Sequence, residues 1–240
     1  MKQNQGNVLF LILIAVVLFA ALSYAVTQSS RGSGNADEET LKLVASEMLQ
    51  DAALMTQAVQ RLMLIKGCSD TQISVQYDWD SDGTLENNGD DNYNSSAPSD
   101  RSCHIFFPEG AGTPWKTKPG GLLDSDILNS YRLEGNTLIY GFGDDTKSEL
   151  IFALIMDNTE RMQALCDTIN EMVGLPKDQS ASVNYSWMPA FRGTYSDPPG
   201  GSRNIGDVAG EADFISQPTG CFRTSHTGTK FSFYHVVHGR

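Results

Sequence analysis

In 240 residues the chain carries 29 Asp and Glu against 17 Lys and Arg, a formal net charge of −12. No basic cluster occurs along it, which excludes the cationic stripe that nucleic-acid binding requires. Length and 40% hydrophobic content suit one domain with a single sizeable core, and the acidity suits solubility outside the cell and the binding of cations.

A short head, residues 1–6, precedes an apolar run over residues 8–26 that contains no charged side chain; Ser23 and Tyr24 are its polar intrusions. At about 1.5 Å rise per residue, such a helix is long enough to cross the hydrocarbon core of a bilayer. A secretory signal would have a shorter apolar region, so a retained anchor is the expectation, although Ser23-Tyr24-Ala25 offers a small-x-small cleavage pattern. Lys2 lies before the run, whereas Arg31 after it is soon followed by Asp37, Glu38 and Glu39. The positive-inside tendency then places the N-terminus in the cytoplasm and the remainder outside, a single-pass inner-membrane arrangement with a periplasmic or extracellular domain.

Residues 29–36 include Gly32 and Gly34 and read as a hinge that kinks or breaks the helix. Over 37–66, Leu41, Val44, Met48, Leu49, Ala52, Met55, Val59, Leu62 and Met63 recur mostly at three- and four-residue steps, which predicts an amphipathic helix stopped by Gly67. A globular domain is expected over 67–240. Ile73, Val75 and Tyr77 alternate with polar residues, an acidic loop covers 78–100, and 103–107 reads as a strand. Residues 131–140 read as a hairpin turning at Gly135-Asn136, and 150–156 as a central strand. A second helix starts at Asp157, with Glu160 three residues on, buries Met162, Leu165, Cys166, Ile169 and Val173, and ends at Gly174. Residues 189–220, rich in Gly, Pro and Ser, read as a surface excursion, and 230–237 as a closing strand. The layout is α+β: an N-terminal helix, kinked at the hinge, a C-terminal antiparallel sheet and one further helix.

Cys68, Cys103, Cys166 and Cys221 are an even, scattered set without CxxC or zinc-ligand spacing, as expected of two disulfides in an exported domain. Three pairings are possible; Cys68–Cys103 and Cys166–Cys221 follow the order in which neighbouring segments meet.

The loop Asp78-Trp79-Asp80-Ser81-Asp82-Gly83-Thr84 matches the first part of a calcium loop: carboxylates at alternate positions, a glycine for the sharp turn and the Thr84 carbonyl. Gly89 stands where the bidentate glutamate belongs, so Asp90 or Asp91 would substitute. Calcium is thus the one cofactor to expect, against the plain reading of a solvated acidic loop. His104, His226, His235 and His238 lack metal-ligand spacing, and there is no GxSxG elbow. The glycines of Gly141-Phe142-Gly143-Asp144-Asp145 precede no helix with a matching lysine, so no enzyme is expected. Trp115, Trp187 and Tyr195 stand in Gly- and Pro-bearing loops, where they either plug the domain or anchor a ligand.

A head ending in Gly6, an apolar helix from Asn7 onward, an amphipathic continuation and a disulfide-bearing sheet domain resemble the type IV pilin and pseudopilin family. The resemblance implies cleavage between Gly6 and Asn7, a pilin-like fold, and helices packed side by side in a filament with like or related subunits. Leu11 stands where the family usually has a glutamate, and Asn7 where it has Phe or Met, which implies a minor or tip subunit. Ala15, Ala20, Ala21 and Ala25 would permit close helix approach. The alternative expectation is a membrane-tethered domain that binds a ligand or carbohydrate through its aromatic loops.

Overall fold

The computed structural model describes residues 33–77, 92–128, 130–181, 190–196, 204–206, 211–224 and 229–240. Two compact units make up the chain, Met1–Thr40 and Leu41–Arg240, and the second holds the sheet, the core and both disulfides. Helix α1 is Ser33–Leu64, so the expected hinge is helical from Ser33 and Gly34 lies within the helix. Among the described residues no helix is long and apolar enough to cross a membrane; the apolar run 8–26 lies outside them.

From Leu41 onward α1 buries the stripe its spacing predicts, with Val44, Met48, Ala52, Met55, Val59 and Leu62 all inside. It stops where Gly67 turns left-handed (φ 73°) and the Cys68 N–H donates to the Leu62 carbonyl at 3.1 Å.

Six strands form one mixed sheet: β1 (Arg132–Ile139), β2 (Glu149–Met156), β3 (Ser180–Ala181), β4 (Asn204–Ile205), β5 (Thr219–Thr224) and β6 (Phe231–His238), in the order β3-β5-β6-β2-β1-β4. The expected architecture, a long helix carrying an antiparallel pilin-like sheet, is therefore incorrect. The edge pairs β1–β4 and β3–β5 are parallel, and the sheet rather than the helix organises the domain. Both parallel partners are two residues long, too short for any alternation to betray them in the sequence.

Every residue of β2 is buried. Its even-numbered side chains, Leu150, Phe152, Leu154 and Met156, join α1 and helix α2 (Glu160–Val173) in the larger apolar cluster. Ile151, Ala153 and Ile155 face the opposite way, into a second cluster with Phe214, Phe222 and Tyr234.

Residues 131–140 hold one strand, β1, and not a hairpin. Gly135-Asn136 marks a bulge, where the register with β2 shifts between Glu134 and Thr137; the turn comes later, through Gly141 (φ 73°) and Gly143 (φ 74°). The strands expected near 73–77 and 103–107 reduce to one parallel bridge, Ser74 to His104. Backbone groups of 104–107 are otherwise used locally, Ala111 N–H donating to the His104 carbonyl at 3.0 Å and Thr113 N–H to that of Ile105 at 2.9 Å.

Both disulfides have the pairing favoured by segment order, Cys68–Cys103 with Cα atoms 5.9 Å apart and Cys166–Cys221 at 5.1 Å. Helix α2 is capped by Thr159, whose hydroxyl accepts the Met162 N–H at 3.2 Å; Asp157, the expected cap, instead pairs with Lys230 at 2.5 Å. One turn beyond Cys166, the buried Asn170 amide donates to the Cys221 carbonyl at 2.7 Å and accepts the Cys221 N–H at 2.9 Å, replacing a ladder partner for β5. Asn170→Ala would leave both backbone groups of Cys221 unpaired. It should cost about 2–4 kcal/mol, read as a lowered urea midpoint with the disulfide intact.

Candidate functional site

Gly6, Asn7, Leu11, Ala15, Ala20, Ala21 and Ala25 lie outside the described residues, as do the candidate calcium ligands Asp78, Asp80, Asp82, Thr84 and Asp90. Among the described residues no group of three or more His, Cys, Asp and Glu comes together to hold a metal ion.

The aromatic loop residues turn inward. Trp115 stacks on Tyr77 with centroids 4.1 Å apart and meets Phe106 edge-on at 4.9 Å. Tyr195 packs on Phe191, and the Arg240 guanidinium lies 3.7 Å from its ring centroid while the Arg240 Nε pairs with Asp70 at 3.1 Å. Trp187 and His226 are outside the described residues. His235 joins α1 to the sheet: Nε2 lies 3.0 Å from the Thr56 hydroxyl and Nδ1 2.5 Å from that of Thr219. Burial pushes its pKa down to about 4, so it is neutral at physiological pH and serves packing.

The outer face of α1 offers apolar surface. Leu43 and Leu54, with Ile65 just past the last residue of α1, are 72%, 44% and 74% exposed and recur every eleven residues, close to three helical turns, which puts them on one line. Beside them Asp51 is buried and paired with Lys116 at 2.7 Å, a lysine also held by Glu47 at 3.2 Å. The Tyr131 hydroxyl is buried near this pair, and desolvation, then the charges of Asp51 and Glu47, raises its pKa so that it stays protonated.

A cavity of about 250 Å³ is walled by Tyr93, Asn94, Ser99, Arg101, Gln76 and His104. Asn94 builds the wall: its amide donates to the Thr71 and Ile73 carbonyls at 2.9 and 2.8 Å and accepts the Ser96 N–H at 2.9 Å. Arg101 holds a left-handed backbone (φ 62°), and its guanidinium lies 4.7 Å from the centroid of the Phe107 ring. Among the described residues that guanidinium makes no ion pair or hydrogen bond, whereas Lys118, Lys147, Arg161, Lys177, Lys230 and Arg240 all have carboxylate partners. Asp100 is next in sequence, but its carboxylate accepts the Ser102 N–H at 2.9 Å. His104 is buried, with Nε2 3.4 Å from the Gln76 side-chain Oε1 and Nδ1 without a partner. Burial first and the Arg101 charge second lower its pKa, which keeps the ring neutral. Arg101 and His104 stand in no motif, and no spacing in the sequence marks this cavity.

Glu149 is a buried carboxyl on the second face of β2. One oxygen accepts the Ile139 N–H at 2.9 Å and the other has no hydrogen bond. Burial pushes its pKa up to about 7 against the lowering effect of that hydrogen bond. The folded-state value lies above the unfolded one, so the stabilisation is fully present below about pH 4.5 and is lost as pH rises through about 7. Glu149→Gln should remove this fall and raise stability at pH 8 by on the order of 2 kcal/mol. Thermal unfolding of both proteins across pH 5–8 checks it, with parallel curves counting against the buried-carboxyl account.

No known protein family, curated protein or solved structure matches the chain.

Proposed function

We propose that the protein is a structural subunit of a pilus-like or pseudopilus assembly, held in the inner membrane by its N-terminal apolar helix and carrying an extracytoplasmic domain. The observation that carries this reading is the uncharged run 8–26 placed directly behind a head ending in Gly6. Two disulfides suit an oxidising compartment outside the cytoplasm. The line Leu43, Leu54 and Ile65 gives α1 an outward apolar edge for a neighbouring copy, with its opposite side already committed to the core. Leu11 in place of a charged residue suits a minor or tip position rather than the repeating shaft.

Intact mass and N-terminal sequencing of protein from its native membrane should give a chain beginning at Asn7; an uncut N-terminus would remove the pilin-type pathway. Ala21→Phe should disturb recovery of assemblies without unfolding the domain. Leu43→Gln combined with Leu54→Gln should weaken self-association of the purified full chain at least about tenfold at an unchanged melting temperature. Sedimentation of wild type and variant reads this directly, and equal association constants would sink the α1 contact.

A further inference from the structure

We infer that the outer edge of α1 is a self-complementary strip on which two copies of the chain pair antiparallel, about a two-fold axis at Leu54. Leu43, Glu47, Leu54, Arg61 and Ile65 fall within about 40° of one another around a helix that turns about 100° per residue. Ile65 follows the last residue of α1, and its N–H still donates to the Arg61 carbonyl at 3.0 Å, so it continues the helical turn. Leu43, Leu54, Arg61 and Ile65 are exposed, and the Glu47 side chain keeps 34% of its surface.

Along the helix the strip reads apolar, acidic, apolar, basic, apolar, with Leu54 at its centre. Leu43 and Ile65 each stand eleven residues from Leu54, and Glu47 and Arg61 each stand seven. Turning one copy end for end about Leu54 lays Leu54 on Leu54, Leu43 on Ile65 and Glu47 on Arg61, and the two-fold axis makes each of the last two contacts twice. A parallel pair in register would set Glu47 on Glu47 and Arg61 on Arg61, like charges that repel. A parallel pair shifted by eleven residues keeps the apolar contacts but sets Glu47 opposite Ala58. Both charges are suited to the antiparallel role. Arg61 donates to the Ala111 carbonyl at 3.2 Å and has no carboxylate partner among the described residues. Glu47 holds Lys116 at 3.2 Å and accepts the Gly120 N–H at 3.0 Å, contacts that fix its carboxylate and leave it lone pairs for a second cation. Asp51 also pairs with Lys116, at 2.7 Å, so this end of the strip keeps a net negative charge. Burial of the apolar side chains supplies the affinity and the charges choose the orientation.

The residues before Leu41 leave such a pair at opposite ends, so the contact joins copies that face one another and not successive subunits along one filament. It rests on the reading of α1 as a contact between copies, not on the anchor or on cleavage at Gly6, and an uncut N-terminus would leave it standing. All four native cysteines are in disulfides, so a cysteine placed on the strip is the only free thiol. The test is oxidative cross-linking of single-cysteine variants of the purified full chain in detergent, read by intact mass. Leu54→Cys should dimerise with itself, and Leu43→Cys mixed with Ile65→Cys should give mainly the mixed dimer. Arg61→Glu, which sets two acids against each other, should weaken self-association at least about tenfold at an unchanged melting temperature. Self-linking of Leu43→Cys as efficient as that of Leu54→Cys would mean a parallel pair in register, and linking of Leu43→Cys to Leu54→Cys a shifted parallel pair. Either result would overturn the inference, as would the absence of any cross-link or undiminished association in Arg61→Glu.

Discussion

Strand β2 needs apolar cover on both faces at once, and the rest of the domain is arranged to provide it. A single long side chain such as Leu154 or Phe152 gains roughly 1.5–3 kcal/mol on full burial, and β2 presents such groups to both sides. A strand with one wet face would alternate; this one, Glu149–Met156, is buried at every position. The helices α1 and α2 supply one layer, with Met48, Val59, Leu165 and Ile169 in the same cluster as Phe152 and Leu154. Among the described residues the other layer takes only Val173 from the end of α2 and is otherwise made by Leu175, Ile205, Phe214 and the inward rings of Phe222 and Tyr234. That thinner side is also where the carboxyl of Glu149 is trapped.

Segments with little regular structure are fixed by bonds other than ladders. Cys68–Cys103 joins the end of α1 to the loop that carries His104, beside the bridge between Ser74 and His104. Cys166–Cys221 and the Asn170 amide fasten α2 to β5 at the same strand residue, one by a covalent bond and one by two hydrogen bonds. Cross-links of this kind narrow the unfolded ensemble and hold loops that could not pack themselves.

What was legible in the sequence followed periodicity. The stripe of α1 and the apolar run of β2 satisfy a 3.6-residue or a continuous pattern and lie where the pattern puts them. The disulfide partners followed from the order of segments. Gly135-Asn136 misled because the same residues that make a two-residue turn also make a bulge, and only the pairing of Glu134 with Ile151 and Thr137 with Glu149 separates the two. The parallel edges β3 and β4 are set by long-range contact, with two residues each and no local signature. The cavity beside Arg101 was illegible for the same reason: the Asn94 side-chain amide donates to the Ile73 carbonyl and the His104 ring meets the Gln76 side chain, contacts that no spacing encodes.

The end of α1 is what holds the loop beside that cavity. The helix from Leu41 to Leu64 runs for about 35 Å, and its last turn passes through Gly67 into Cys68 and across the disulfide to Cys103, the neighbour of His104. Lys66 donates to the Glu109 carbonyl at 2.9 Å and Arg61 to that of Ala111 at 3.2 Å, so the 103–113 loop is held on α1 at two further points. The Arg101 guanidinium rests on the Phe107 ring of this loop. The amphipathic helix thus has two separable consequences: its inner face organises the sheet, and its C-terminal end fixes the 103–113 loop.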